Sequence, residues 1–364
     1  MTQKNSLAGG IFLVFALLLP LAGQATKKHI PLDLALVHNN QGVGYLQKND
    51  LDRAEVEFKT AAELDPLYSE AHNNLGLIYK YKGRFELALA SLKTAINLNP
   101  KWAAPYSHTG TVYLAMGEFG KAIDYFKKAT SLDKKYADAY YNLGVTYLEK
   151  AKTASDPKSD WKSAAGAFQK ATTIDTHLFN AHMDLADTYR KLGELEKAIL
   201  RYRLAIETNT KDPTAWQHLG QLYQQTGDEA KAAECFEKAG QLGPMTEDQM
   251  LQLGESYLVS KKYAEALVLF QRAIETNPKN AMAYFDLGYT LSQQDRIHEA
   301  MASYTKAVLI DRNFLAAHFN LAGLFEAQGN LRAALQGYQE VLRIQPKHAD
   351  ALAHVAEIRK KMSR

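Results

Sequence analysis

The residues best equipped for binding chemistry in this sequence form a polar column that recurs every 34 residues, apart from one step of 42. Its members are Asn40, Asn74, His108, Asn142, Asp184, His218, Gln252, Asp286 and Asn320. An amide side chain offers both a donor and an acceptor of hydrogen bonds. Such a side chain can therefore bond the backbone of an extended peptide without reading its sequence. The column predicts peptide binding, and the alternative is a helix face that is polar because water covers it.

Motifs for catalysis or metal binding are missing from the sequence. The eleven histidines do not have metal-ligand spacing, and there is no phosphate-binding glycine loop, zinc-ligand pair or nucleophile elbow. The single cysteine, Cys235, precedes Phe236 and is expected to be a buried small residue. The sequence predicts that the protein is not an enzyme and has neither a cofactor nor a metal site.

Composition excludes several other classes of protein. The chain has 364 residues, of which 46% are hydrophobic and 23% charged, so it can bury a large core and is not mainly disordered. Its 43 basic and 40 acidic residues give a net charge of +3, which does not favour nucleic acid as a partner. Length alone predicts two or three globular domains at roughly 100–200 residues each, but the recurring pattern divides the chain differently.

A small residue follows each member of the polar column by two positions and marks a repeating unit. These markers are Gly42, Gly76, Gly110, Gly144, Ala186, Gly220, Gly254, Gly288 and Ala322. Twelve positions after the marker, allowing for eight extra residues in the fourth unit, every unit has alanine, and sixteen positions after it every unit has Phe, Tyr or Leu. Small residues let two helices approach closely, and a helix pair that cannot bury its apolar face alone must stack on its neighbours.

This pattern resembles the tetratricopeptide repeat (TPR) and covers residues 35–348 as nine units. The resemblance implies an all-α fold, a right-handed α-solenoid of nine TPR helix hairpins, after a short lead-in over residues 26–34. Residues 349–364 predict a capping helix with a basic end. The fourth repeat, residues 137–178, is expected to have a longer turn between its helices, either as a tolerated surface insertion or as a partner contact.

The resemblance also implies that the first helix of each unit lines a concave groove in which a peptide or protein segment lies. The polar column then looks like the asparagine ladder in the array of O-linked N-acetylglucosamine transferases. Counted from the marker, the exposed groove positions are expected to be six, three and two before it and one, four and five after it. Over all units these six positions carry nine acidic and three basic residues. This excess predicts a ligand that is neutral or basic where it crosses the groove. The basic residues of the chaperone-type carboxylate clamp are not present in three consecutive units, so heat-shock-protein C-termini are not expected ligands.

The last three units are less polar at the position three before the marker, where Leu251, Phe285 and Phe319 stand. Tyr289 and Met282 lie beside them in the sequence. These residues predict an apolar pocket for a ligand side chain. The alternative is that they pack against the adjacent helix.

The N-terminal residues 1–25 have the features of a secretory signal peptide. Lys4 is followed by no charge until Lys27, residues 11–19 are apolar, and small residues lead to a cleavage point after Ala25. An uncleaved anchor is the alternative, although the apolar run is shorter than the ~20 residues of a spanning helix. The protein is therefore expected to be exported, periplasmic or secreted, or else anchored to the membrane by this segment.

The expected function is that of an exported scaffold or adaptor that binds a protein or peptide and helps to assemble a larger complex of the cell envelope. The partner can belong to a complex that is associated with the membrane. In this it resembles bacterial envelope TPR proteins that serve pilus, secretion or polysaccharide systems. One alternative is a substrate-presenting array for a separate glycosyltransferase. Another is a homo-oligomer in which Phe285 and Phe319 meet a second copy.

Overall fold

The structure is a computed structural model that describes residues 32–363. The predicted signal peptide, residues 1–25, and residues 26–31 of the lead-in lie outside these described residues. Within the described part the chain forms nineteen α-helices and no strand. The predicted all-α fold is confirmed. None of these helices has the length and hydrophobicity that a membrane crossing requires.

The chain divides into two compact units, with the boundary between Thr176 and His177. The helices of the first unit are α1 (Asp33–Gln47), α2 (Leu51–Leu64), α3 (Ser69–Tyr81), α4 (Phe85–Leu98), α5 (Ala103–Ala115), α6 (Phe119–Leu132), α7 (Ala137–Ala151) and α8 (Lys158–Ile174). The helices of the second unit are α9 (Phe179–Leu192), α10 (Leu195–Thr208), α11 (Pro213–Thr226), α12 (Glu229–Leu242), α13 (Glu247–Val259), α14 (Tyr263–Thr276), α15 (Ala281–Gln293), α16 (Ile297–Ile310), α17 (Leu315–Ala327), α18 (Leu331–Ile344) and α19 (Ala349–Met362).

Within each unit, successive helices pair as hairpins and each hairpin packs on the next. The helices α3 and α4 form one such pair, and α4 also contacts α5, the first helix of the following hairpin. Turns of two or three residues join the helices of a hairpin, except in the fourth. Turns this short place the two helices of a hairpin side by side and antiparallel. We call the odd-numbered helices α1 to α17 the first helices and their even-numbered partners the second helices.

At six of the seven glycine markers, an aromatic ring from the second helix of the same hairpin packs directly on the marker, and at Gly76 the side chain of Leu92 does so. A Cβ atom added at Gly144 would lie 2.6 Å from Cε1 of Phe168, and one added at Gly254 would lie 2.5 Å from Cε1 of Phe270. Both phenylalanine side chains are completely buried. The position sixteen residues after the marker therefore fills the space that the missing side chain leaves, and this contact sets how closely the helices pack.

The short turns inside the hairpins, of two or three residues, each contain a residue with a positive φ angle. Gly83 supplies it in the second hairpin with a φ of 70°, and Lys261 supplies it in the seventh with a φ of 60°. At the equivalent place Arg84 N–H bonds Tyr79 O, and Lys262 N–H bonds Tyr257 O. The two turns are thus alike in geometry, although only one of them has the residue that adopts this conformation without strain.

The long fourth repeat extends its helices as well as its turn. The helix α7 runs two residues further than α3 or α5, α8 is three residues longer than the other second helices, and the turn between them has six residues. Lys150 Nζ lies 2.7 Å from Oδ1 of the buried Asp160, which joins the two extensions. The expected longer turn accounts for only part of the insertion, because the remaining extra residues lengthen the helices α7 and α8.

The last helix, α19, packs on α18 through one apolar face. Ala351, Val355 and Ile358 are buried in a cluster with Tyr338 and Val341. The last turn of α19 carries three basic residues, which are exposed. This arrangement is what a capping helix requires, one face apolar and one solvated.

Candidate functional site

Every residue of the polar column lies on a first helix, but the residues differ in how deeply they are buried. Asn40 on α1 is exposed, whereas Asn74 on α3 and Asp286 on α15 are buried. The remaining six are partly exposed: His108, Asn142, Asp184, His218, Gln252 and Asn320. The expectation that the groove positions are exposed is wrong for the column residues Asn74 and Asp286. It is also wrong at five of the positions three before the marker, which are Asn39, Asn73, Ser107, Met183 and Leu251.

In the first unit, amide side chains of neighbouring first helices bond one another. Asn74 Nδ2 donates to Asn39 Oδ1 at 3.0 Å, and Asn73 Nδ2 lies 3.4 Å from Asn74 Oδ1. His108 Nδ1 lies 2.7 Å from Asn73 Oδ1. The network joins α1, α3 and α5, so Asn74 spends its donor and acceptor inside the protein. Asn39 and Asn73 were not singled out from the sequence, although each precedes a column residue at the same 34-residue spacing.

The histidine of this network is neutral. Burial and the neighbouring charge of Lys80 lower the pKa of His108 to about 3. Because Asn73 offers an oxygen, His108 must donate from Nδ1. Burial also lowers the pKa of Lys80. Around His108, the first-helix face of the first unit therefore presents neutral hydrogen-bonding groups and one lysine.

In the second unit, the same face is built from carboxylates and glutamines. Asp187 on α9 accepts hydrogen bonds from Tyr202 Oη at 2.7 Å and from Arg190 Nη2 at 3.1 Å, and its Oδ2 lies 3.5 Å from His218 Nδ1. Although burial opposes the change, contacts with His218, Tyr202 and Arg190 lower the pKa of Asp187. Asp187 is thus an ionised carboxylate, and the positive charge of Arg190 beside it offsets its negative charge.

Three glutamines of α11 reach across to α13. Gln249 Nε2 donates to Gln217 Oε1 at 3.0 Å, and Gln221 Nε2 lies 3.4 Å from Oε1 of the column residue Gln252. One turn further along, the Gln224 amide lies 3.3 Å from Glu255 Oε2. Burial raises the pKa of Glu255, and the nearby Glu229 carboxylate adds to the effect.

Asp286 is the least satisfied of the column residues. Its Oδ2 atom is buried and has no hydrogen-bond partner in the described chain, and the residue is only 7% exposed. Burial, together with the charge of Glu255, raises the pKa of Asp286 to about 7. A carboxyl group in this state would gain from any cation that reached it.

Part of the predicted apolar pocket is present in the second unit. A cavity of about 240 Å³ lies between α15 and α17, with Tyr304 of α16 behind it. Its lining includes Tyr289 and Ser292 from α15 and Phe319, Asn320 and Leu324 from α17. The volume is below the roughly 300–1,000 Å³ of pockets for drug-sized ligands and suits a single side chain.

Phe285 has the structural role that the sequence left as an alternative. Its ring lies 5.0 Å from that of Phe314 and 5.6 Å from that of Tyr304, as centroid distances, and it does not line the cavity. Met282 is exposed at the start of α15. Phe285 therefore supports the cavity wall through Tyr304 instead of offering a surface to a ligand.

A second cavity, of about 480 Å³, lies away from the column residues. Arg312, His318, Glu340 and Arg343 line it, where the turn before α17 meets α18. His318 Nε2 lies 3.1 Å from the Arg312 carbonyl oxygen. No spacing pattern distinguishes these residues in the sequence, because they come from a turn and two different helices.

The sequence predicts no metal site and a buried thiol at Cys235. Within residues 32–363 no group of three His, Cys, Asp or Glu side chains could hold a metal ion. Cys235 is buried, as expected, and burial raises the pKa of its thiol to about 12. This thiol is protonated at neutral pH and is a poor nucleophile.

Comparison with protein families finds repeats of one type. The model of the cytochrome c-type biogenesis protein H TPR domain matches residues 189–313, a TPR repeat model matches residues 110–150, and a tetratricopeptide repeat model matches residues 69–101. Because these matches do not cover all the hairpins, the count of nine repeats stays a prediction. No curated protein sequence is similar enough to count as a match.

Solved structures with the same kind of fold include several helical repeat proteins. The C-terminal part of a TPR repeat-containing protein from Cytophaga hutchinsonii aligns with a TM-score of 0.57 and 16% identity, over 68% of this chain and 98% of that one. PilF from Pseudomonas aeruginosa aligns with a TM-score of 0.50 and 20% identity, over 61% and 96%. YrrB, described as a TPR protein with an unusual peptide-binding site, is 27% identical over 52% and 97%, with a TM-score of 0.47.

Proposed function

The chain is a tetratricopeptide repeat protein, and from that premise we propose that it is a non-catalytic scaffold or adaptor of the cell envelope. Proteins of this kind generally act as protein-interaction scaffolds, so the partner is a protein or peptide. The proposal is that an extended segment of the partner lies along the first helices. The second helices hold the large side chains that pack on the markers, so those side chains are not available to a ligand.

The observation that carries this proposal is the distribution of polar groups. Amides, imidazoles and carboxylates recur on successive first helices, and the 240 Å³ cavity opens among the same helices in the second unit. In the proposed groove Asn40 and Tyr289 contact the partner directly, because both are exposed. The buried Asn74 acts through the amide network that it holds together.

An envelope location is supported by two independent features. Residues 1–25 have the composition of a secretory signal peptide. The family model that matches residues 189–313 is that of a protein of cytochrome c biogenesis, which favours the same compartment.

Site-specific crosslinking in the native host tests the proposal. A photoreactive amino acid is placed at Asn40, at Tyr289 and, as a matched control, at Leu309, which is 69% exposed on the second helix α16. We expect the two first-helix positions to capture the same partner protein, identified by mass spectrometry, and the control position not to capture it.

Other results would point to the alternatives. Capture at Leu309 alone would contradict a groove on the first helices. Recovery of only this chain, with a dimer seen by size-exclusion light scattering, would favour self-association. Recovery of a glycosyltransferase would favour the substrate-presenting array.

A further inference from the structure

Two carboxylates of the first-helix face in the second unit, Asp187 and Glu326, already have charged or ionisable partners from the chain. Asp187 has Arg190 and His218 beside it. Glu326 accepts from Tyr338 Oη at 3.2 Å and lies 2.9 Å from His354 Nδ1, with Lys361 Nζ at 3.4 Å. At both ends of this face, the negative charge of a carboxylate is therefore offset by side chains of the same chain.

Glu255 and Asp286, in the middle of this face, are different. Glu255 has a neutral amide from Gln224 as its partner, and Asp286 Oδ2 has none. Neither carboxylate forms an ion pair within residues 32–363. The two side chains are on the adjacent first helices α13 and α15, which contact each other. They are near enough for the charge of one to act on the other.

An unpartnered buried carboxylate costs stability unless a ligand satisfies it. A cationic side chain on a flexible stem is the complement of two carboxylates, of which one still has a free oxygen. An ammonium or guanidinium group has several donors and could bond Asp286 Oδ2 and Glu255 together. The neighbouring charge of Glu229, on α12, adds to the attraction.

The 240 Å³ cavity begins one helical turn from this carboxylate pair. Tyr289 lines the cavity and lies three residues after Asp286 on α15, so the two side chains share one helix face. An extended segment that passes from α13 to α17 would therefore meet a cation site first and an apolar site next.

We propose that the second unit binds an extended protein segment by a Lys or Arg side chain held between Glu255 and Asp286, with a nearby apolar side chain in the cavity between α15 and α17. The proposal rests on the proposed scaffold function and specifies the chemistry of its ligand. It makes the second unit selective, because the cation and the apolar group must stand close together in the same segment.

The test begins with an array of randomised fifteen-residue peptides probed with the full exported chain. We expect bound peptides to be enriched in Lys or Arg close to Leu, Met or Phe. A strong binder is then synthesised with its basic residue replaced by norleucine, which keeps the stem and removes the charge. Its affinity is expected to fall about tenfold or more.

Variants of the protein locate the site. Asp286→Asn and Glu255→Gln are expected to weaken the parent peptide about tenfold and to leave the norleucine peptide unchanged. Glu275→Gln is the matched control, since Glu275 is an exposed carboxylate on the second helix α14. Circular dichroism confirms that each variant is folded, so that a loss of binding reports on the site.

The outcomes separate this inference from the scaffold function. Peptides bound without basic enrichment, or equally by the wild type and by Asp286→Asn, overturn the cation site and leave the scaffold function standing. A preference for acidic peptides overturns it too. An array on which no peptide binds, together with crosslinking that captures no partner, overturns both.

Discussion

At the scale of single residues, Asp286 links stability to binding. Its carboxyl group is buried without a hydrogen-bond partner for Oδ2, and burial raises its pKa from the ordinary 3.8 to about 7. Because the folded pKa is the higher one, the folded state holds the proton more tightly than the unfolded state. The contribution of the protonated group is fully present below about pH 4 and is lost as the pH rises through about 7.

The first prediction follows from that linkage. Asp286→Asn should remove a cost of about 4 kcal/mol that ionisation imposes at high pH, and the variant should be more stable than wild type above about pH 7. Urea unfolding followed between about pH 5 and about pH 8 measures the difference, with Glu275→Gln as the control. Equal pH dependence in wild type and Asp286→Asn would contradict it.

The second prediction concerns the amide network of the first unit. Asn74→Ala removes the hydrogen-bond partner of Asn39 Oδ1 and of Asn73 Nδ2, both in buried residues, and should lower the free energy of unfolding by about 1–3 kcal/mol. Asn40→Ala, at the exposed column position on α1, should change it by less than about 0.5 kcal/mol. Urea denaturation distinguishes the two, and equal losses would show that the network is not structural.

Residue depth is what the sequence could not predict. The 34-residue spacing correctly places Asn74 and Asp286 on first helices, because a helical period reports which face a side chain is on. How deeply a side chain on that face is buried depends on the side chains of the neighbouring helix that pack against it. Asn39 of α1 covers Asn74, and the rings of Phe285 and Tyr304 come into contact only in the folded chain.

At the scale of helices, the close packing of a hairpin depends on the small residue at the marker position. The sequence predicts correctly that the marker and the alanine twelve residues later are small so that two helices can approach. It also predicts a bulky residue nearby, but only the structure shows that the ring sits on the marker itself. Because the contact is local to its hairpin, the regular spacing reveals that the two helices approach each other, but not which atoms meet.

The third prediction tests this contact. Gly254→Ala would place a Cβ 2.5 Å from the buried ring of Phe270 and should destabilise the protein by about 1–3 kcal/mol. Gly323→Ala is the matched control, because the atom nearest to its new Cβ is Tyr338 Oη at 3.7 Å. The control should be neutral or gain up to about 1 kcal/mol from better helix propensity. Thermal and urea unfolding report both, and a stable Gly254→Ala would refute the role given to the marker.

The fourth prediction concerns the turn after α13. Lys261 has a φ of 60°, a conformation that costs an ordinary residue roughly 1–2 kcal/mol. Lys261→Gly should therefore stabilise the protein by up to about that amount, whereas Gly83→Ala, in the equivalent turn with a φ of 70°, should destabilise it. Opposite shifts of the unfolding midpoint support the assignment of strain, and shifts of the same sign reject it.

At the scale of the whole molecule, the charge of the first-helix face is unevenly divided. The first unit holds three of the nine acidic groove positions, with Lys80, and its column is joined by neutral amides. The second unit holds the other six, among them Glu255 and Asp286. The excess of acidic groove residues that the sequence predicts is thus mainly a property of the second unit, and so is the proposed selectivity for a cationic segment.

This division leads to the last prediction. Residues 177–363 form a compact unit with an apolar cluster of their own around Ala300 and Tyr304, and α19 covers the last hairpin. A fragment of residues 177–364 should therefore fold alone, with helical circular dichroism and cooperative unfolding in urea. Since Glu255, Asp286 and the cavity are all inside it, the fragment should bind the selected Lys or Arg peptide as tightly as the full chain does. A folded fragment with affinity lowered tenfold or more would place part of the binding site in residues 1–176, and the charge of the second unit would then be insufficient to explain selection.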